Sequence, residues 1–222
     1  MRTPTDPLPE SLRALIEALR EPLPQPLIAL VKALTFSHMQ LRDLVVERWT
    51  GQELRELPVW IAWRLQVEAL EFVLHLMELF AWNYGGYKAR DALHHYISMA
   101  MVEASIEGSW DAQAVHAADP TIDATEFKEW VIDSTLEIVR EAYSEYIECT
   151  RIAPEKKRII NKTSIVSTFA RRISRVLGRS DDPLVVFDVA GIASAVLLDS
   201  GLTKYTKAAC KAVPQLPPPP PL

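Results

Sequence analysis

The stretch from Val59 to Trp82, VWIAWRLQVEALEFVLHLMELFAW, leaves few folds open. Its ionisable residues are Arg64, Glu68, Glu71, His75 and Glu78, which step by four, three, four and three. At about 100° per residue they share one strip roughly 80° wide. Apart from Gln66, the rest of the circumference is apolar. A helix of that kind needs neighbours on at least two sides, so it belongs in the middle of a bundle. A membrane span is the other use for so long an apolar run. Against it, Arg64, Glu68, Glu71 and Glu78 near mid-bilayer would each cost about 2.5–3.5 kcal/mol. The pattern predicts a bundle helix, with its polar strip solvated and self-paired at i,i+3 and i,i+4.

The rest of the chain agrees with an all-α fold. Its composition is 49% hydrophobic and 24% charged, which suits a globular core, and it holds only 7 glycines and no long alternating run. Ser11 can cap a short helix to Arg20, and Pro22, Pro24 and Pro26 stiffen the link to a second helix ending at Thr50-Gly51. Gly85-Gly86 reads as the end of the central helix and a turn into a fourth, Tyr87 to Glu107. An acidic fifth helix follows to about Ile152, with Asp123 and Glu126 as its capping pair. A basic helix from Thr163 or Ser164 to Leu177 comes next. Asp182-Pro183 opens a helix to Ser200 whose run Val185 to Leu198 is apolar apart from Asp188 and Ser194, too short to cross a bilayer, and so reads as buried. The expectation is a multi-helix bundle of about six to seven helices around two strongly apolar ones, Val59–Trp82 and Pro183–Ser200. Residues 1–153 would form an acidic body, 154–213 a basic and an apolar helix on the same core, and 214–222 a proline-rich tail.

The net charge of −5 argues against a surface that coats nucleic acid, but it is unevenly spread. Lys156, Lys157, Arg158, Lys162, Arg171, Arg172, Arg175 and Arg179 stand against Glu155 alone. Arg171, Arg172 and Arg175 are read as lying away from the apolar stripe of their helix, with serines and threonines between. Two functions suit such a face. It can bind a phosphate backbone, or it can dock on the acidic fifth helix, and docking is the stronger reading. Cys149 and Cys210 have no metal-ligand spacing and read as free thiols in a reducing cytoplasm. Only Asn83 and Asn161 occur, a scarcity found in thermophilic proteins. The six tryptophans read mostly as core, with an interface anchor the alternative for Trp60 and Trp63 beside Pro58.

Two constellations could carry chemistry. Glu68-x-x-Glu71 with Glu78 puts carboxylates on one helical face, where they can hold Mg²⁺. This resembles the ExxE helix of all-α nucleoside triphosphate pyrophosphatases of the MazG and dimeric dUTPase kind. That family also uses a second acidic pair, usually ExxD; Glu129-x-x-x-Asp133 and Glu103-x-x-x-Glu107 have a different spacing. Arg90-Asp-Ala-Leu-His-His95 resembles the Arg-x4-His motif of HEPN ribonucleases. The resemblance implies that Arg90 and His95 act on an RNA 2′-hydroxyl and phosphate, with Asp91 as the polar neighbour. Residues five apart on a straight helix point about 140° away from each other, so the pair needs a kink or a dimer. His38, His75 and His116 are isolated, and no glycine-rich phosphate loop or Gly-x-Ser-x-Gly elbow occurs.

The leading expectation is a non-enzymatic assembly or interaction subunit in the cytoplasm, without a cofactor or a membrane. It would be a homo-oligomer or part of a protein complex, with nucleic acid a possible partner of residues 156–179. The two enzyme readings are its alternatives.

Overall fold

A computed structural model describes residues 24–52, 54–108, 124–149, 162–180 and 182–215. The expected helix at 11–20, the Asp123 cap, the helix end near Ile152 and residues 216–222 of the proline-rich tail lie outside them. Among the described residues the fold is an all-α helical bundle without strands. We label the helices α1 (Gln25–Thr50), α2 (Val59–Leu93), α3 (Met99–Gly108), α4 (Ala124–Cys149), α5 (Lys162–Val176), α6 (Pro183–Ser200) and α7 (Leu202–Ala212). A π turn at His94–Ser98 joins α2 to α3, and 3₁₀ turns occupy Leu54–Glu56 and Val213–Gln215.

These residues form two compact units. The first contains 24–36, 76–108, 124–136 and 201–215. Leu27, Leu30, Val31 and Leu34 of α1, with Leu76, Met77 and Phe80 of α2, are buried in it, a spacing that follows the helical repeat. α7 comes close to α2 because Gly85 has no side chain. A Cβ there would collide with that of Ala89 and sit 3.2 Å from Cys210 Cβ. The buried Cys210 thiol points to the Ala81 carbonyl, and burial raises its pKa.

The expected break at Gly85-Gly86 is a kink inside one helix. Only Gly86 leaves the helical region, at φ 73° and ψ −165°. That conformation is essentially reserved for glycine, and α2 resumes beyond it to Leu93. Seven residues, Tyr87 to Leu93, separate the kink from the π turn, where the Met99 N–H bonds to the His94 carbonyl five residues back.

The second unit contains 37–52, 54–75, 137–149, 162–180 and 182–200. Phe72 of α2 stacks on Phe169 of α5, with ring centroids 4.3 Å apart, and is tilted against Tyr146 of α4. α5 also packs against α6. Asp182 caps α6 by accepting the Leu184 N–H at 3.0 Å, and Pro183 occupies the first turn, as the sequence pattern predicts.

Candidate functional site

Three features of the helices bear on function: a buried arginine, a buried carboxylate at the π turn, and an apolar face turned outward.

The arginine is Arg172. It lies seven residues after Ile165 and three after Phe169, both fully buried, so the helical repeat carries it into the core of its unit. Its Nε and Nη2 donate to the two oxygens of Glu68 at 2.6 and 2.8 Å. Its Nη1 donates to Glu145 at 2.7 Å, and Arg175 donates to the same carboxylate at 3.0 Å. Glu68 is 1% exposed and Arg172 2%. Burial pushes the Glu68 carboxyl up and the two Arg172 contacts pull against it, with a net rise. Burial works to lower Arg172, and Glu68 overrides it, so the guanidinium stays charged. Partial burial works to raise Glu145, but its bonds to Arg175 and Arg172 outweigh that and hold it low. The Tyr146 hydroxyl is fully buried nearby and has no hydrogen-bond partner among the described residues; burial raises its pKa well above the ordinary tyrosine value.

This arrangement corrects two expectations. The strip on α2 is not a solvated, self-paired row, because Glu68 and Glu78 are buried and Glu68 is matched by α5. Arg172 does not lie away from the apolar stripe; it interrupts the stripe and reaches a carboxylate inside. Arg64 retains an i,i+4 contact with Glu68 at 3.8 Å and reaches Glu141 at 3.3 Å.

The second feature belongs to the other unit. Glu78 accepts the Ser98 hydroxyl at 3.0 Å, and its same oxygen lies 2.6 Å from His94 Nδ1. Arg90 Nε stands 3.6 Å from the other oxygen, with its guanidinium over the Trp82 ring at 5.5 Å. The hydrogen bond to Glu78 raises the His94 pKa against the partial burial of the ring. A carboxylate on Nδ1 fixes the tautomer and leaves Nε2 for proton transfer. Ser98 faces the carboxylate and not the imidazole, so no activated hydroxyl is assembled. Arg90 and His94 thus meet on Glu78, while His95 lies edge-on to Tyr96.

The chain matches no known family model, curated protein or solved structure. Its function has to be argued from geometry.

Against the metal reading, both Glu68 oxygens are held by Arg172, Glu71 is half-buried, and Glu78 belongs to the other unit. Among the described residues no group of three or more His, Cys, Asp or Glu could hold a metal. In the basic segment, Lys156, Lys157 and Arg158 lie outside the described residues, and Lys162 opens α5. Arg175 pairs with Glu145, Arg179 pairs with Asp182 at 2.7 Å and lies over Trp49, and Arg171 is exposed.

The third feature is α6, expected to be buried. It buries Val185, Val189, Ala193, Val196 and Ser200 on one side. On the other, Leu184, Phe187 and Leu198 are 74%, 82% and 83% exposed. By length and composition alone the whole helix is also long and apolar enough to cross a membrane, with 28% of it buried. Hydropathy along the sequence could not reveal which side faces out, because both sides are apolar.

Proposed function

We propose that this protein is a non-enzymatic helical assembly subunit that docks through the outer face of α6. The observation that carries the reading is the row Leu184, Phe187 and Leu198, three large apolar side chains left in water by a helix whose opposite side is packed. The buried charges of the second unit support it as well. Glu68, Arg172 and Glu145 are saturated by one another, as a structural ion-pair network would be.

A second reading rests on one observation: Arg90 and His94 converge on Glu78 beside a π turn. Such a pair could serve a metal-free ribonuclease, with His94 in the place that the sequence motif gives to His95. One experiment separates the two. Labelled single- and double-stranded RNA and DNA are incubated with the protein at two salt concentrations, and both retention and cleavage are read. The assembly reading expects intact nucleic acid. Cleavage that disappears in His94→Ala or Arg90→Ala overturns it. Salt-sensitive retention that disappears in Arg171→Glu would assign a nucleic-acid contact to the basic segment.

A further inference from the structure

We infer that the occupant of the α6 face is a second copy of this chain, packed antiparallel across a two-fold axis at Gly191. The inference rests on the assembly reading and names its partner.

Leu184, Phe187, Gly191, Ala195 and Leu198 are all exposed and lie within a strip about 80° wide at 100° per residue. Their order is symmetric in a way that matters. In an antiparallel pair centred on Gly191, Leu184 lies opposite Leu198 of the second copy and Phe187 opposite its Ala195. The largest side chain of the strip then meets the smallest one that carries a Cβ, and leucine meets leucine. Beyond its chain neighbours and its own helix backbone, nothing among the described residues lies within 4 Å of where a Cβ of Gly191 would stand, so the axis is open for a close crossing. A two-fold interface must be self-complementary in this sense, each patch being both halves of the contact. A parallel pair would instead stack Phe187 on Phe187 and bring Asp188 to Asp188.

Charge and area point the same way. Asp188 lies at the margin of the strip and is held by Arg48 at 3.0 Å. In the antiparallel pair it falls opposite Ser194, so no like charges meet. Leu44 is exposed one turn before Arg48 on α1, and it extends the apolar surface where Arg48 joins α6. The three large side chains of the strip offer on the order of 400 Å² per copy. With the flanks, two copies bury on the order of 1,000 Å², the lower end of what a specific dimer needs. The dissociation constant should then lie in the micromolar range. A lipid surface fits less well, because a helix lying on anionic lipid uses Lys and Arg on its polar side, whereas the charges of α6 are Asp188 and Asp199.

The test uses the full chain. Light scattering over a concentration series is expected to show a monomer of 25.0 kDa passing to a dimer. Gly191→Leu, which places bulk on the axis, should weaken the dimer at least about tenfold, with helicity unchanged by circular dichroism. For orientation, Phe187→Cys and Ala195→Cys chains with different tags are made in a Cys149→Ala, Cys210→Ala background and treated with a short thiol crosslinker. The mixture is expected to crosslink between tags, and Phe187→Cys alone should not crosslink. Efficient crosslinking of Phe187→Cys to itself overturns the antiparallel pair. A dimer indifferent to both Gly191→Leu and Phe187→Asp overturns the inference and leaves the assembly reading standing. A chain that stays monomeric to 100 µM (about a hundred times a micromolar constant) overturns it too, as does flotation with phosphatidylcholine vesicles that Phe187→Asp abolishes. Cleavage of RNA that depends on His94 removes the parent reading whatever the mass.

Discussion

Replacing Arg172 with methionine should expose how the second unit tolerates charge in its interior. The variant keeps most of the side chain's apolar bulk and removes both donors to Glu68, at 2.6 and 2.8 Å, together with one to Glu145. Glu145 still has Arg175, and it is about one-third exposed, so its loss is small. Glu68 is different. It is 1% exposed, and its remaining cation is Arg64 at 3.8 Å, itself 45% exposed. An uncompensated buried carboxylate costs about 3–5 kcal/mol. Protonation limits the damage: taking up a proton at pH 7 against the ordinary glutamate value of 4.5 costs about 3.4 kcal/mol, at about 1.36 kcal/mol per pH unit. We therefore expect a loss of about 3–4 kcal/mol at pH 7, read as a drop in the urea midpoint at unchanged slope. The sign of the pH dependence follows. The folded-state pKa of Glu68 is above its unfolded value, so folding takes up a proton between the two. The variant's deficit should then be largest at neutral pH and shrink as pH falls toward 4.5. The double variant Glu68→Leu, Arg172→Met should recover to within about 1 kcal/mol of the native chain, because an apolar pair of similar size can replace a buried ion pair. A single-variant loss under about 1 kcal/mol, or a double variant worse than the single, would refute the view that Glu68 and Arg172 depend on each other.

Three further outcomes are expected. The His94 pKa is raised by Glu78, so the pair's contribution is complete below 6.5 and lost as pH rises through the folded value. Native stability should therefore decline from pH 6.5 upward, by less than about 1 kcal/mol since the ring is half exposed, and His94→Gln should lack this slope in urea titrations at several pH values. Gly86→Ala forces a side chain into φ 73°, ψ −165° and should cost about 1–3 kcal/mol; a neutral effect on the urea midpoint would contradict the kink. Phe187→Asp touches a side chain that is 82% exposed, so at concentrations where the chain is monomeric its unfolding free energy should stay within about 0.5 kcal/mol of native. A larger drop would mean that Phe187 packs within the chain.

The helical class and most helix ends were legible in the sequence because they depend on local signals. Asp182-Pro183 marks the start of α6, Gly51 and Gly178 follow their helices with positive φ, and the apolar repeat runs through α1 and α2. Partnerships over distance were not legible. Arg172 and Glu68 are separated by more than a hundred positions, and each looks like a surface residue by type. A signal for Arg172 did exist, since it falls in line with Ile165 and Phe169. Charge type argues the opposite way and points the arginine outward, so the two signals conflict at this position. The Glu78 centre escaped for another reason. A straight helix separates Arg90 from His95, and the motif drew attention to that pair, whereas the fold gathers Arg90, His94 and Ser98 on one carboxylate.

Two neighbouring helices of one unit thus reverse the usual sorting: α5 sends an arginine inward, and α6 sends leucine and phenylalanine outward. Size explains the second. The buried side of α6 is Val185, Val189, Ala193, Val196 and Ser200, small or β-branched at every position, and such a face lets a helix approach its neighbour closely. Turning the helix over to bury Leu184, Phe187 and Leu198 would push it away from α5 and leave the valines in water instead. Neither orientation hides all the apolar surface, because α6 has almost no polar side to offer. The packed orientation leaves outside the residues with most area to contribute to a second contact. The proposed antiparallel pair would place that surplus against a second copy, which is why Phe187→Asp should act on association and not on the folding of the monomer.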